Sequence, residues 1–315
     1  MRIYYLLILL FFMTTQAFTL QIDEKYPVDV ELKTKLLKYG SMFEEKITEL
    51  LEIEASDVNI RVIPRNRWSR YHPIMPYGCT LPTKTGVDIP QADLRFLYED
   101  YFYDIAEKLS QDEIQELSEL YNVPGASSFP EILDQVSEAY LYDEMVIFWA
   151  YPAEIAGFYL NKIGFANKVN ESIRLLLLHT IMYSITPDEL KTKEWGVRKI
   201  QDLYYDYYYK DINPVKSFKR LLTPILPLSE AQKSYFVVEG AFHKHFAKVF
   251  EKDTAFVKTL VKVLLNSDAK KTENNDFVEI VSNILGYESI FEMFESETLP
   301  KGTSNFLMLL YYSTL

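Results

Sequence analysis

Between Val28 and Ala55 the apolar residues Leu32, Leu36, Tyr39, Phe43, Ile47 and Leu50 recur at intervals of three and four, with Glu and Lys between them. That spacing predicts an amphipathic helix with one buried face. A short alternation, Asp57-Val-Asn-Ile-Arg-Val-Ile63, follows it. The next stretch, Pro64 to Pro90, carries five of the fourteen prolines together with Gly78 and Gly86. No long helix continues through that density of proline, so residues 57–91 are expected to be an irregular segment.

Beyond Gln91 the periodicity is helical almost throughout. Ser110-Gln-Asp-Glu113 reads as a capping box, and Thr186-Pro-Asp-Glu189 as a helix start with proline at the first position. Phe256, Leu260, Val263 and Leu264 form one apolar stripe; Phe277, Ile280, Ile284 and Leu285 form a second that Gly286 can cap. No sustained two-residue alternation suggests a sheet, so the pattern predicts an all-α, multi-helix globular protein of about nine to twelve helices. Residues 18–185 and 186–315 read as two helical regions or as one continuous domain.

The tyrosine-rich runs Leu97-Tyr-Glu-Asp-Tyr-Phe-Tyr-Asp104 and Leu203-Tyr-Tyr-Asp-Tyr-Tyr-Tyr-Lys-Asp211 are near copies. As helices they put Leu97 with Tyr101, and Leu203 with Tyr207, on an inward face, leaving Asp100 and Asp206 to solvent. An internal duplication and chance repetition in a tyrosine-rich chain both account for them. Tyr101 and Tyr207 are candidate pocket residues, since each offers a ring and a hydroxyl. The plainer alternative is a place at the core boundary.

The amino terminus changes the picture. Arg2 precedes an unbroken apolar run from Ile3 to Met13, followed by small and polar residues to Ala17. This is the pattern of a secretory signal peptide over residues 1–17, and a run of that length is too short to cross a bilayer as a helix. No other segment promises stable membrane insertion. Cys79 is the one cysteine, so no disulfide within the chain is available to a secreted product. Its thiol is buried, free or paired with another molecule.

The net charge of −12 disfavours nucleic acid and anionic membranes as partners of the surface as a whole. Against that background Arg61, Arg65, Arg67 and Arg70 cluster around Trp68 and Tyr71. Guanidinium groups beside aromatic rings suit an anion or an acidic partner, and equally suit the chain's own carboxylates. Asn170-Glu-Ser172 is a glycosylation sequon. Glu239 and His243 stand at helical i,i+4 spacing, and His179 lies within an apolar run. These three are seeds for a catalytic site assembled in three dimensions. No third metal ligand, catalytic motif or cofactor fingerprint accompanies them, so no cofactor is expected.

Leu109 to Tyr121 resembles a helix start in secreted helical fatty-acid- and retinol-binding proteins. The likeness covers thirteen residues and implies a hydrophobic ligand between amphipathic helices. Together the observations point to a secreted, non-enzymatic helical binding or interaction protein, its partner a small hydrophobic or amphiphilic ligand or another protein. An enzyme built around His179 or Glu239 and His243 is the alternative.

Overall fold

The computed structural model describes residues 20–23, 25–73, 81–91, 106–187, 190, 202, 203, 206, 240–267 and 271–313. The leader, Cys79, Tyr101, Tyr207 and Glu239 therefore lie outside the described residues.

The chain is not all-α. A four-stranded mixed sheet, β1 (Leu20–Ile22), β2 (Val58–Ile63), β3 (Leu81–Pro82) and β4 (Gly86–Pro90), accompanies the helices in the order β1-β2-β4-β3, making this an α/β fold. β1 and β4 run parallel to β2, and β3 closes one edge antiparallel to β4. Three of the four strands come from the segment expected to be irregular. The prolines there do exclude helix, but Pro82 and Pro90 sit at strand ends, where a missing N–H breaks little of the ladder. Gly86 opens β4 hard against β2, and a Cβ on it would lie 2.0 Å from the Asn59 carbonyl oxygen.

Two crossovers join the parallel strands. α1 (Val30–Leu51) links β1 to β2; α2 (Arg65–Tyr71) lies between β2 and the β3–β4 pair. α1 follows the predicted periodicity: Leu36, Phe43, Ile47 and Leu50 are buried, and Asp29 caps its first turn by accepting from the Glu31 and Leu32 amides. Alternation then sorts the strand side chains. Val58, Ile60 and Val62 of β2 and Val87 and Ile89 of β4 join the main core, while Arg61 and Asp88 point to the opposite face.

The helical body follows. α3 (Gln111–Leu120) opens on the expected Ser110–Glu113 capping box and packs with α4 (Phe129–Gln135) around a small core that includes Leu117, Ile132, Leu141 and Leu203. α5 (Glu138–Tyr142) runs through a π-helical stretch, Asp143–Ala150, into α6 (Tyr151–Lys162) without a break. α6 and α7 (Glu171–Ile185) are apolar on most sides because they lie in the centre, between α1, the sheet and the carboxy-terminal helices.

A second π-helical turn, His243–Ala247, leads into α8 (Lys248–Phe250). α9 (Thr254–Leu265), α10 (Asn274–Ile284), α11 (Ile290–Glu295) and α12 (Lys301–Tyr312) complete the described chain. On α9 the buried stripe is Phe256, Val257, Leu260, Val261 and Leu264; Val263, expected within it, is 40 % exposed. Among the described residues no helix is long and apolar enough to cross a membrane.

Candidate functional site

A cleft of about 650 Å³ opens where the amino ends of β2 and β4 meet the end of α6. Ser56, Asp57, Val58 and Asn59 form one wall, Thr83, Lys84 and Thr85 the second, and Phe158, Asn161 and Lys162 the third; Gln21 of β1 closes the side. The wall surface is more carbon than heteroatom, yet nearly every residue carries a polar tip. Lys84 and Lys162 are exposed there and make no ion pair among the described residues. Ligands in parallel sheets usually sit at the carboxyl ends of strands. This cleft lies at the opposite end, so it is a consequence of how α6 overhangs the sheet rather than of strand order.

Directly behind the Ser56 wall lies a buried polar relay. The Ser56 amide donates to the Tyr159 hydroxyl at 3.0 Å, and that hydroxyl donates to Glu44 Oε1. Glu44 belongs to α1 and Tyr159 to α6, so the relay also ties those helices together. Burial pushes the Glu44 carboxyl above its ordinary range, opposed by the hydrogen bonds from Tyr159 and Ser56. Burial likewise raises the Tyr159 phenol, and its bond to Glu44 adds to the rise. The relay is able to hold a proton next to the cleft, but Glu44 and Tyr159 do not themselves line it.

The structure divides the arginine cluster: Arg61 lies on the other face of β2, while Arg65, Arg67 and Arg70 belong to α2. Arg61 is half-buried and grips Asp88 at two points, Nε to Oδ1 at 2.8 Å and a second bond from its terminal nitrogen to Oδ2. Asp88 is 1 % exposed and also meets His72 Nε2 at 2.8 Å. Trp68 is buried, with its ring 4.7 Å from that of His72. Arg65, Arg67 and Arg70 remain exposed. Arg61 therefore serves an internal partner, and the carboxylate that holds it comes from a neighbouring strand rather than from an acidic helix. Asp88 was missed in the sequence because nothing local distinguishes it within Gly86-Val-Asp-Ile-Pro90.

Beside this pair the Arg61 guanidinium lies 4.4 Å from the centre of the Tyr71 ring, and the Tyr71 hydroxyl is 3.0 Å from that of Tyr26. Lys25 stands 5.4 Å from the same ring. The hydrogen bond with Lys25, then that with Tyr26, draws the Tyr71 phenol below its ordinary range.

His179 and His243 are both buried and are brought to one region. Tyr183 stands one turn beyond His179 on α7 and stacks on the His243 ring at 4.6 Å. His179 lies between the rings of Trp149 and Phe242, at 6.3 Å and 6.5 Å. His243 Nδ1 meets Asp202 at 3.2 Å. Burial works against the ionised Asp202, yet the bond to His243 holds its carboxyl below the usual value. His245 points elsewhere, stacking on Phe306 at 6.3 Å. None of these histidines lines the cleft, and among the described residues no three His, Cys, Asp or Glu side chains are grouped to hold a metal.

Asn170 caps α7 by accepting from the Ile173 amide at 3.0 Å, and its own amide group donates to Glu273 and Asn274 at 3.2 Å and 2.8 Å. The nitrogen that a glycan would occupy is thus engaged in two contacts. Compared with known proteins, the chain matches no family model, no curated protein and no solved structure.

Proposed function

We propose that the protein is a secreted, non-enzymatic binding protein and that the cleft at the amino ends of β2 and β4 holds a small amphiphilic ligand. The observation that carries this reading is the character of the cleft. Its volume of about 650 Å³ is of the size used by small-molecule sites. The edge of Phe158 and the aliphatic stems of its polar residues give an apolar body, while Lys84 and Lys162 stand ready for an acidic head group. A purely apolar ligand would leave those polar tips unpaired, so a molecule with one charged end fits better. The signal-peptide pattern of residues 1–17 supports secretion. The buried histidines favour binding over chemistry in one respect: His179, among aromatic rings, and His243, between Tyr183 and Asp202, both lie away from the cleft.

Filling the cleft tests the reading. Asn161 is exposed on its wall, and Asn161→Trp adds bulk without touching the core. With a fluorescent fatty acid as probe, the wild type and Asn161→Ala should bind, whereas Asn161→Trp should lose at least tenfold in affinity with an unchanged melting midpoint. Equal binding by all three, or none by the wild type, would remove the proposal.

A further inference from the structure

α2 carries Arg65, Arg67 and Arg70 within seven residues, all three of them exposed. Arg67 and Arg70 are exposed, and among the described residues neither forms an ion pair. They are nonetheless close to the preceding loop. Tyr71, one turn beyond Arg67 on the same helix, meets Tyr26 through their hydroxyls, and Lys25 lies 5.4 Å from the Tyr71 ring, so α2 and the residues that follow β1 share one surface. Lys25, Arg67 and Arg70 therefore surround a spot where two phenol hydroxyls, Tyr26 and Tyr71, stand 3.0 Å apart.

We infer that Lys25, Arg67 and Arg70, with the hydroxyls of Tyr26 and Tyr71, form a binding surface for a sulfated polysaccharide. Three features select that chemistry. The cations are spread over an exposed surface rather than set in an enclosed pocket, so a partner must be extended to reach them together. The remainder of a chain of net charge −12 repels polyanions, so the partner must be dense in charge and narrow enough to stay near the patch, since screening confines the repulsion to about 8 Å in physiological salt. Finally, guanidinium groups match weakly hydrated oxyanions, while phenol hydroxyls match sugar hydroxyls. An acidic peptide would use the first kind of contact but offers little to the second. The inference rests on the proposed secretion for where such a partner would be met, but not for the binding itself.

Purified full-length protein and heparin test it. Wild type should be retained on immobilised heparin at low salt and elute as sodium chloride is raised, because binding releases counterions. Arg67→Gln with Arg70→Gln should lower affinity for a heparin oligosaccharide at least tenfold. A control, Lys271→Gln with Lys301→Gln, removes the same charge near the start of α10 and at the start of α12 and should bind as the wild type does. Melting curves establish that both double variants are folded. Flow-through of the wild type, equal loss in the control, or displacement by polyglutamate as readily as by heparin would each overturn the inference; the last would mean that an acidic protein segment is the partner. Fatty-acid binding should be unchanged in the arginine variant, so failure here and failure of the cleft reading are separable.

Discussion

Arg61 and Asp88 stand opposite each other on the adjacent parallel strands β2 and β4 and close a two-point ion pair beneath α2. Asp88 has no other route to solvent, being 1 % exposed. Removing one member of a buried pair strands the other, which typically costs about 3–5 kcal/mol. Asp88→Asn should therefore lower the unfolding free energy by about 3 kcal/mol. Arg61→Met combined with Asp88→Leu should recover part of it, because no charge is then left behind. Chemical denaturation of the three proteins checks this, and an Asp88→Asn midpoint equal to wild type would refute it.

Glu44 gives stability a pH dependence of its own. Its carboxyl is raised above the ordinary value of 4.5 by burial, so the folded state holds that proton more tightly than the unfolded chain. The stabilisation is complete below about 4.5 and is lost as pH rises through the folded value. Glu44→Gln keeps an acceptor for Tyr159 but has no proton to lose. Relative to wild type, the variant should gain stability as pH is raised from about 4.5, read as urea midpoints across a pH series. Parallel midpoints at every pH would contradict the burial of an ionisable group at this position.

Glu52 behaves in the opposite sense. It ends α1 in the left-handed conformation at φ 54° and reaches Lys258 and Lys262 on α9, whose hydrogen bonds draw its carboxyl down to about 2. A depressed carboxyl contributes stability above the unfolded value of 4.5 that disappears as pH falls towards 2. Glu52→Gln should flatten this acid limb. Because the group is exposed, 1 M salt should flatten it in the wild type too. An acid limb identical in variant and wild type would assign it to other carboxylates.

Gly40 lies inside α1, where alanine ordinarily stabilises a helix by about 1 kcal/mol. Here a Cβ would lie 2.2 Å from the Tyr151 hydroxyl and 2.9 Å from Leu20. That hydroxyl donates to the Leu36 carbonyl at 3.2 Å and has little room to yield. Gly40→Ala should destabilise by about 1–3 kcal/mol, the usual cost of overpacking. In a Tyr151→Phe background the same change should cost less, since the nearest atom is gone. Thermal melts of the four proteins decide it, and an equal cost in both backgrounds would mean that the close approach is not the cause.

The sequence by itself determined those elements whose signal is local and long. α1 spans six turns, so its apolar face repeats often enough to be read, and the Ser110 cap of α3 needs only four residues. The sheet was illegible for the converse reason. Strands of three, six, two and five residues give runs of alternation too short to tell from chance: the alternation of residues 57–63 is visible, but that of Val87-Asp-Ile89 covers only three residues between a glycine and a proline. What makes Leu20, Val58 and Gly86 into strands is pairing across dozens of residues, Leu20 with Val58 and Asn59 with Gly86. The sites divide in the same way. Arg67 and Arg70 were visible as a local run of charge, but their neighbours Lys25 and Tyr26 arrive only through the position of β1. Asp88 becomes a partner for Arg61 only through strand register, and the cleft exists only because α6 crosses the sheet where it does. Periodicity records which side of an element is buried; which elements meet is settled by the packing of the whole chain.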